Sequence, residues 1–252
     1  MTTIRPWRVF VISARRPLNV PTMHQRWFGT TEPVTWVVPE EDAESYAAAG
    51  APHLLPVAAP CVPGTWQLPA QRNAALRAAH AAGHVCVQVD DDLRRLSVPD
   101  RDGKRKDVDW ATARTTLLNA LHEHSAHLAG IAPTSNVLSA RRTVSALGFA
   151  PAALFATDTA APQFDERLPL KEDYDYVCQH LVAYGGIARV NWLVADFQQR
   201  TNRGGVVTYR TPALERTTAE RLLERWPQYL KPHPSRTNEL SFKRTSAPGG
   251  TA

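Results

Sequence analysis

Three consecutive carboxylates, Asp90-Asp91-Asp92, stand directly after the alternating run VCVQV (residues 85–89). In an extended segment successive side chains point to opposite sides, so Asp90 and Asp92 share one side and Asp91 takes the other. Like charges this close repel, and nothing about ending a strand requires them. Hard oxygen ligands of this kind suit Mg²⁺ or Mn²⁺, ions that keep part of their water and bridge to substrate phosphates. A solvated acidic turn is the competing reading. Position after a buried strand of an α/β sheet favours the metal. The matching chemistry is one in which a nucleoside diphosphate departs and a divalent Lewis acid takes up the charge on its oxygens.

A second acidic group, Glu172-Asp173, lies in KEDYDY (residues 171–176) at the expected start of a helix. A carboxylate there could accept a proton from an attacking hydroxyl. It could equally serve only to complement the helix dipole. Arg72 is read either as a bidentate phosphate clamp or as a helix arginine lying along the surface. TNRGG (residues 201–205) suits a mobile lid or an ordinary hairpin turn. His122, His124 and His127 face imperfectly on one helix and read as surface residues. His233, in a proline-flanked loop, is left as the candidate for an extra metal contact.

The elements that must position these groups alternate. RVFVIS (8–13) reads as a buried strand, followed by a polar turn with Arg15, Arg16 and Pro17. VTWVV (34–38) is a second strand. Pro39 then opens a short helix whose first turn carries Glu40, Glu41 and Asp42, and Gly50 closes it. AQRNAALRAAHAA (70–82) is a helix stopped by Gly83, and VCVQV follows as a strand. Strand–helix alternation signals a parallel, doubly wound sheet, which binds ligands at the carboxyl ends of its strands. Beyond it, DVDWATARTTLLNALHEHSAHLAG reads as a long helix ending at Gly130. AALFAT and IARVNWLVADF read as strands, KEDYDYVCQHLVAYGG as a helix, and a capping box at Thr217 and Glu220 opens another.

With 252 residues the chain can bury one sizeable α/β core. No apolar stretch reaches bilayer length, and MTTIRPWRVFVIS lacks the apolar region of a signal peptide, so a cytoplasmic protein with no membrane partner is expected. Cys61, Cys86 and Cys178 are odd in number and widely spaced, which implies neither a disulfide framework nor a zinc site. Residues 189–252 carry 11 Lys+Arg against 5 Asp+Glu, and the remainder is slightly negative. Such a tail could steer a polyanion to the site, or could reflect only an Arg-rich composition. The sequence leaves the oligomeric state open.

Taken together, QRNAALRAAHAAGHVCVQVDDDL, GIAPTSNVLSARR, FDERLPLKEDYDYVCQHLVAYGG and TNRGGVVTYRT resemble the TET-associated glycosyltransferases, GT-A-fold enzymes encoded mainly by bacteriophages with hypermodified DNA. The resemblance runs from about residue 8 to about residue 242. It implies a single GT-A unit over 1–245, with a donor half (8–100), an acceptor half (101–245) and a disordered tail (246–252). It implies transfer of a sugar from a nucleotide donor, a UDP-sugar first, onto 5-hydroxymethylpyrimidine in DNA, chiefly 5-hydroxymethylcytosine, with Mn²⁺ or Mg²⁺. Asp90, Asp91 and Asp92 match the metal and diphosphate motif, with His233 as a poorer match for the metal histidine. Ser13, Arg15 and Glu40 fall where base and ribose are held, and Arg72 and Asn73 match an RN pair. Asn136 would face donor sugar or acceptor. Asp173, beside Glu172, matches the motif that supplies the base in inverting members. Arg200, Arg203 and Arg210 would hold DNA phosphates. A protein or small-molecule acceptor, or a non-catalytic nucleotide- or DNA-binding domain, are the rival readings.

Overall fold

The computed structural model describes residues 5–29, 32–61, 64, 66–198 and 209–243. The TNRGG loop, Arg200, Arg203 and the tail from 246 lie outside the described residues. The first strand, β1 (Trp7–Ile12), is the centre of the organisation. Its Val9 and Val11 enter one core cluster while Phe10 and Ile12 enter another, so both faces are covered. That is why the segment reads as an unbroken apolar run.

The chain then forms α1 (Asn19–Met23), which continues as a π-helical turn, and β2 (Val34–Pro39). A 3₁₀ turn at Glu40–Asp42 leads into α2 (Ala43–Ala48) and β3 (Leu54–Val57). Helix α3 (Gln67–Ala81) ends before Gly83, whose φ of 70° only glycine adopts without strain. Strands β4 (Val85–Asp90), β5 (Leu93–Pro99) and β6 (Arg105–Asp107) follow. Helix α4 (Trp110–Glu123) is capped by the Asp109 carboxylate, and β7 (Leu128–Ile131), β8 (Val144–Ser145) and β9 (Leu154–Thr157) come next. Helix α5 (Glu172–Tyr184) precedes β10 (Ala188–Val190) and β11 (Val194–Phe197). Helix α6 (Pro212–Arg225) and the β12 (Leu230–Pro232)–β13 (Leu240–Phe242) hairpin complete the described chain.

The main sheet has the order β3-β2-β1-β4-β9-β7-β10-β8. Strands β1 to β4 are mutually parallel, whereas β9 runs antiparallel to both β4 and β7. The sheet is therefore mixed rather than wholly parallel. Helix α4 packs on the face holding Val9 and Trp36, and α3 and α5 cover the face holding Phe10 and Phe155. Antiparallel β11-β5-β6 forms a second sheet. Helix α6 and the β12–β13 hairpin add a third cluster through Leu222, Leu230 and Leu240, which meets α5 at Cys178. Trp226 Nε1 donates to the fully buried Asp175 carboxylate at 2.7 Å, and Arg225 pairs with it at 3.1 Å. Cys86 and Cys178 are buried free thiols, as expected, and Cys61 is exposed.

Three boundaries differ from the sequence expectation. The long helix stops at Glu123, and Gly130 lies inside β7. The segment IARVNWLVADF divides between β10 and β11, which belong to different sheets. Helix α6 starts at Pro212 with Thr211 Oγ1 accepting from the Leu214 N–H, so Thr217 is an interior residue bonded to Ala213 O. A proline at the first helical position needs no N–H partner, which places the start there. A Cβ on Gly130 would stand 2.7 Å from Ala150 Cβ. Gly130→Val is therefore expected to overpack the β7–β9 seam and cost about 1–3 kcal/mol in a urea melt.

Candidate active site

The carboxyl ends of β1 and β4 are neighbours, with Ile12 paired to Asp90. Gln71 of α3 donates to both Ser13 O and Val37 O at 2.8 Å, fastening the ends of β1 and β2. The following turn is bent by Arg15 at φ 57°, whose N–H donates to the Asp42 carboxylate at 2.7 Å. Asp91 organises that turn from below. It is 3% exposed, accepts from Ser13 Oγ, and pairs with Arg16 Nη1 at 2.7 Å. Its backbone oxygen accepts from Asn19 Nδ2 at 3.2 Å. Burial pushes its acid up to about 6 despite Arg16 and Ser13, which lower it. Arg16 also approaches Asp92 at 3.6 Å.

Arg72 is not a surface arginine. It is 3% exposed and spans two acidic groups, donating to Asp90 Oδ1 at 3.1 Å and to Glu172 Oε1 at 3.2 Å. Its third contact is Ala152 O at 2.9 Å. Burial alone would weaken its hold on the proton, but Asp90, Glu172 and Asp173 overcome that and raise it. The surface reading is thus set aside: the guanidinium is buried, borders the larger cavity and pairs with two carboxylates. Its neighbour Asn73 is also committed: its amide holds Phe164 O and Glu166 at 2.9 Å and accepts from the Phe164 N–H.

Asp173 is the second residue of helix α5, whose N-cap Lys171 adopts a left-handed φ of 57° and pairs with Glu239 at 3.3 Å. Strain of this kind in a non-glycine residue persists only where the surroundings over-determine it. The Asp173 carboxylate accepts from the N–H groups of Tyr174, at 3.0 Å, and Ala152. Surrounding protein and the Glu172 charge push its acid up to about 7, against Arg72 and these N–H groups. The same stretch of chain also reaches Asp90, because Ala153 O accepts the Asp90 N–H at 3.0 Å.

Two cavities meet at the aspartates. The smaller, about 380 Å³, is lined by Ser13, Arg15, Glu41, Gln71, Asp91 and the tilted ring pair Trp66–Tyr209, whose centroids lie 4.6 Å apart. The larger, about 1060 Å³, is lined by Glu172, Asp173, Arg189, Arg210, His233 and Arg236. Arg16, Leu68, Asp90 and Asp92 belong to both. Ser13, Arg15, Arg72, Asp90 to Asp92, Glu172, Asp173 and His233 therefore border this continuous space. Glu40, Asn73 and Asn136 line neither cavity. Glu41 stands where Glu40 was expected, and Asn136 caps its own 3₁₀ turn by accepting from the Leu138 N–H. Arg210 borders the cleft while pairing with Glu215 at 3.4 Å.

His233 is placed differently from a ligand. Its Nδ1 accepts the N–H groups of Ser235 and Arg236, both at 3.2 Å. Its Nδ1 is thereby occupied within its own turn, while the residue borders the cleft. Among the described residues no group of three His, Cys, Asp or Glu side chains is gathered as a metal cage. The expected grouping of Asp90, Asp92 and His233 as three ligands is therefore not gathered among the described residues.

Sequence reasoning missed Glu41, Trp66, Tyr209, Arg189 and Arg236. The last four carry no local motif, and only the fold gathers them. No helix among the described residues is long and apolar enough to cross a membrane.

No protein-family model matches the sequence, and no curated protein does. Solved structures match its shape. Staphylococcus aureus TarS 1–349 in complex with UDP-GlcNAc is 14% identical, with a TM-score of 0.51 over 86% of this chain and 66% of that one. Mannosyltransferase PcManGT from Pyrobaculum calidifontis, in complex with GDP-Man and Mn²⁺, is 16% identical, with a TM-score of 0.52 over 90% and 64%. The chain thus spans just under two thirds of each. Likeness at these identities speaks for architecture, and that architecture is the GT-A-type glycosyltransferase fold.

Proposed function

We propose that the protein is a nucleotide-sugar-dependent glycosyltransferase that glycosylates the hydroxyl of 5-hydroxymethylpyrimidine in DNA. The carrying observation is the junction of two cavities at Asp90 and Asp92, with Asp173 bordering the larger one. The smaller cavity, with Trp66 and Tyr209 as ring faces, suits a nucleoside. The donors in the two similar structures, UDP-GlcNAc and GDP-Man, belong to that class.

In this reading Asp92 and Asp90 would hold Mn²⁺ or Mg²⁺. Both carboxylates border the junction, and their hard oxygens fit such an ion. When bound, it supplies Lewis-acid stabilisation of the departing diphosphate. Ser13 and Arg15 face the nucleoside, and His233 borders the cleft. Asp173 takes the proton of the acceptor hydroxyl as its oxygen bonds to the anomeric carbon. The bond from that carbon to the phosphate oxygen breaks, and the nucleoside diphosphate leaves with its electron pair. Attack from the side opposite the leaving group inverts the anomeric centre. The DNA acceptor is supported by the sequence resemblance and by the arginines bordering the cleft.

The test is incubation of hydroxymethylcytosine DNA with a panel of nucleotide sugars and Mn²⁺, followed by mass spectrometry of the digested nucleosides. A hexose-sized increment on hydroxymethylcytosine is expected. Sugar transfer only to a protein or small-molecule hydroxyl would overturn the acceptor, and no turnover of any nucleotide sugar would overturn the enzyme reading. Asp92→Ala is expected to reduce transfer about 10²-fold or more, as loss of charge stabilisation at the leaving group does. Mn²⁺ titration of both forms checks it.

A further inference from the structure

Arg189 lies in β10, three strands along the sheet from Asp90, and lines the same cleft. Its Nε donates to Asn191 Oδ1 at 2.8 Å, Nη1 to Phe149 O at 3.2 Å, and Nη2 to Ser145 Oγ at 3.5 Å. All three acceptors are neutral. A guanidinium has five N–H groups, so two are left over. Burial weakens its hold on the proton, and no acidic neighbour offsets this.

The fold nevertheless keeps this group in place. A Cβ on Gly148 would stand 2.5 Å from Arg189 Nη1, so the guanidinium rests against a residue with no side chain. A half-buried charge without a counter-charge is costly to maintain. Arg236 borders the same space. It lies near enough to Tyr174 to act on that hydroxyl electrostatically.

Aromatic rings complete the cleft. Phe149 and Tyr174 stack at 4.1 Å with an interplanar angle of 14°, and Phe242 lies nearly parallel to both. All three are half-buried and border the cavity. Tyr174 directly follows Asp173.

We propose that Arg189 and Arg236 seat a phosphate of the acceptor while its ring lies against Phe149, Tyr174 and Phe242. The acceptor recognised in this way is a phosphate-bearing nucleotide unit, from a DNA strand or as a free nucleotide. A guanidinium fork matches phosphate, and aromatic faces take any base. The inference rests on the transferase reading and adds where its acceptor is held.

Fluorescence anisotropy of a labelled single-stranded oligonucleotide containing 5-hydroxymethylcytosine tests it, with 5-hydroxymethyl-dCMP and the uncharged nucleoside as competitors. Wild type is expected to bind at least one phosphate-bearing probe about tenfold or more above the nucleoside. Preference for the oligonucleotide names DNA as the source, and equal binding of dCMP names the free nucleotide. Arg189→Gln and the exposed Arg236→Gln are each expected to weaken the phosphate-bearing probe about 10–100-fold and to reduce its salt slope by about 1, with the nucleoside unaffected. Equal wild-type affinity for all three probes overturns the proposal. So does an unchanged slope in either variant, once thermal melting shows it folded. Binding is read without turnover, so a failure of the transferase reading appears separately, as absent sugar transfer with phosphate binding intact.

Discussion

Asp173→Asn is expected to lower the kcat of transfer about 10²–10⁴-fold, the range spanned by loss of a positioned general base. The substitution keeps shape and removes only the ability to take a proton. The loss should therefore fall on kcat, with the dissociation constant of the nucleoside diphosphate little changed in calorimetry. The pH profile is the sharper check. Burial and Glu172 push the Asp173 acid up to about 7, so wild-type kcat should rise with pH through that region as the carboxylate forms. The variant's residual activity should lack this rise. A wild-type profile flat from pH 5 to 9 would remove Asp173 from the proton transfer.

Arg72→Met is expected to be the most destabilising single change in the site. It leaves Asp90, Glu172 and Asp173 facing one another without their shared cation, which typically costs about 3–5 kcal/mol. For a chain of this size that is a fall in Tm on the order of 10 °C. The pH dependence has a definite sign. Arg72 lowers the Asp173 acid, so removing it raises that acid further above its unfolded value. A carboxyl group so raised gains a proton on folding. Its contribution is present at low pH and is lost as pH rises through the folded value. The deficit in Tm should therefore be smaller at pH 5 than at pH 8. Arg72→Lys should recover little, because one ammonium cannot reproduce the fork that reaches Asp90, Glu172 and Ala152 O.

Much of the aspartate end of the candidate site was legible because it is local. The alternation of VCVQV places the aspartates at a strand end, and Gly83 and Gly185 mark the helix stops where the chain turns left-handed. The acidic opening of α5 was equally readable, although KEDYDY proved to send its carboxylates to different tasks. Glu172 meets Arg72, Asp173 meets the cleft, and Asp175 holds Trp226. Facing of that kind depends on what packs against the helix, and spacing does not contain it. Arg72 read either as a phosphate clamp or as a surface arginine, because the carboxylates it pairs with are brought to it by other elements. His233 was a candidate for an extra metal contact, and its own turn supplies two N–H groups to Nδ1. The aromatic wall draws on Phe149, Tyr174 and Phe242, which no window along the chain contains together.

The peptide unit entering β9 carries a further consequence. Because β9 runs backwards, its start lies at the sheet edge where β4 ends. There Ala152 O meets Arg72, the Ala152 N–H meets Asp173, and Ala153 O meets the Asp90 N–H. Main chain, together with the Arg72 side chain, thus sets the spacing between Asp90 and Asp173. Small replacements at Ala153 should pass with little effect, while one residue inserted or deleted at this point would move both halves of the reaction apart. This stretch is expected to hold its length wherever the chemistry is retained.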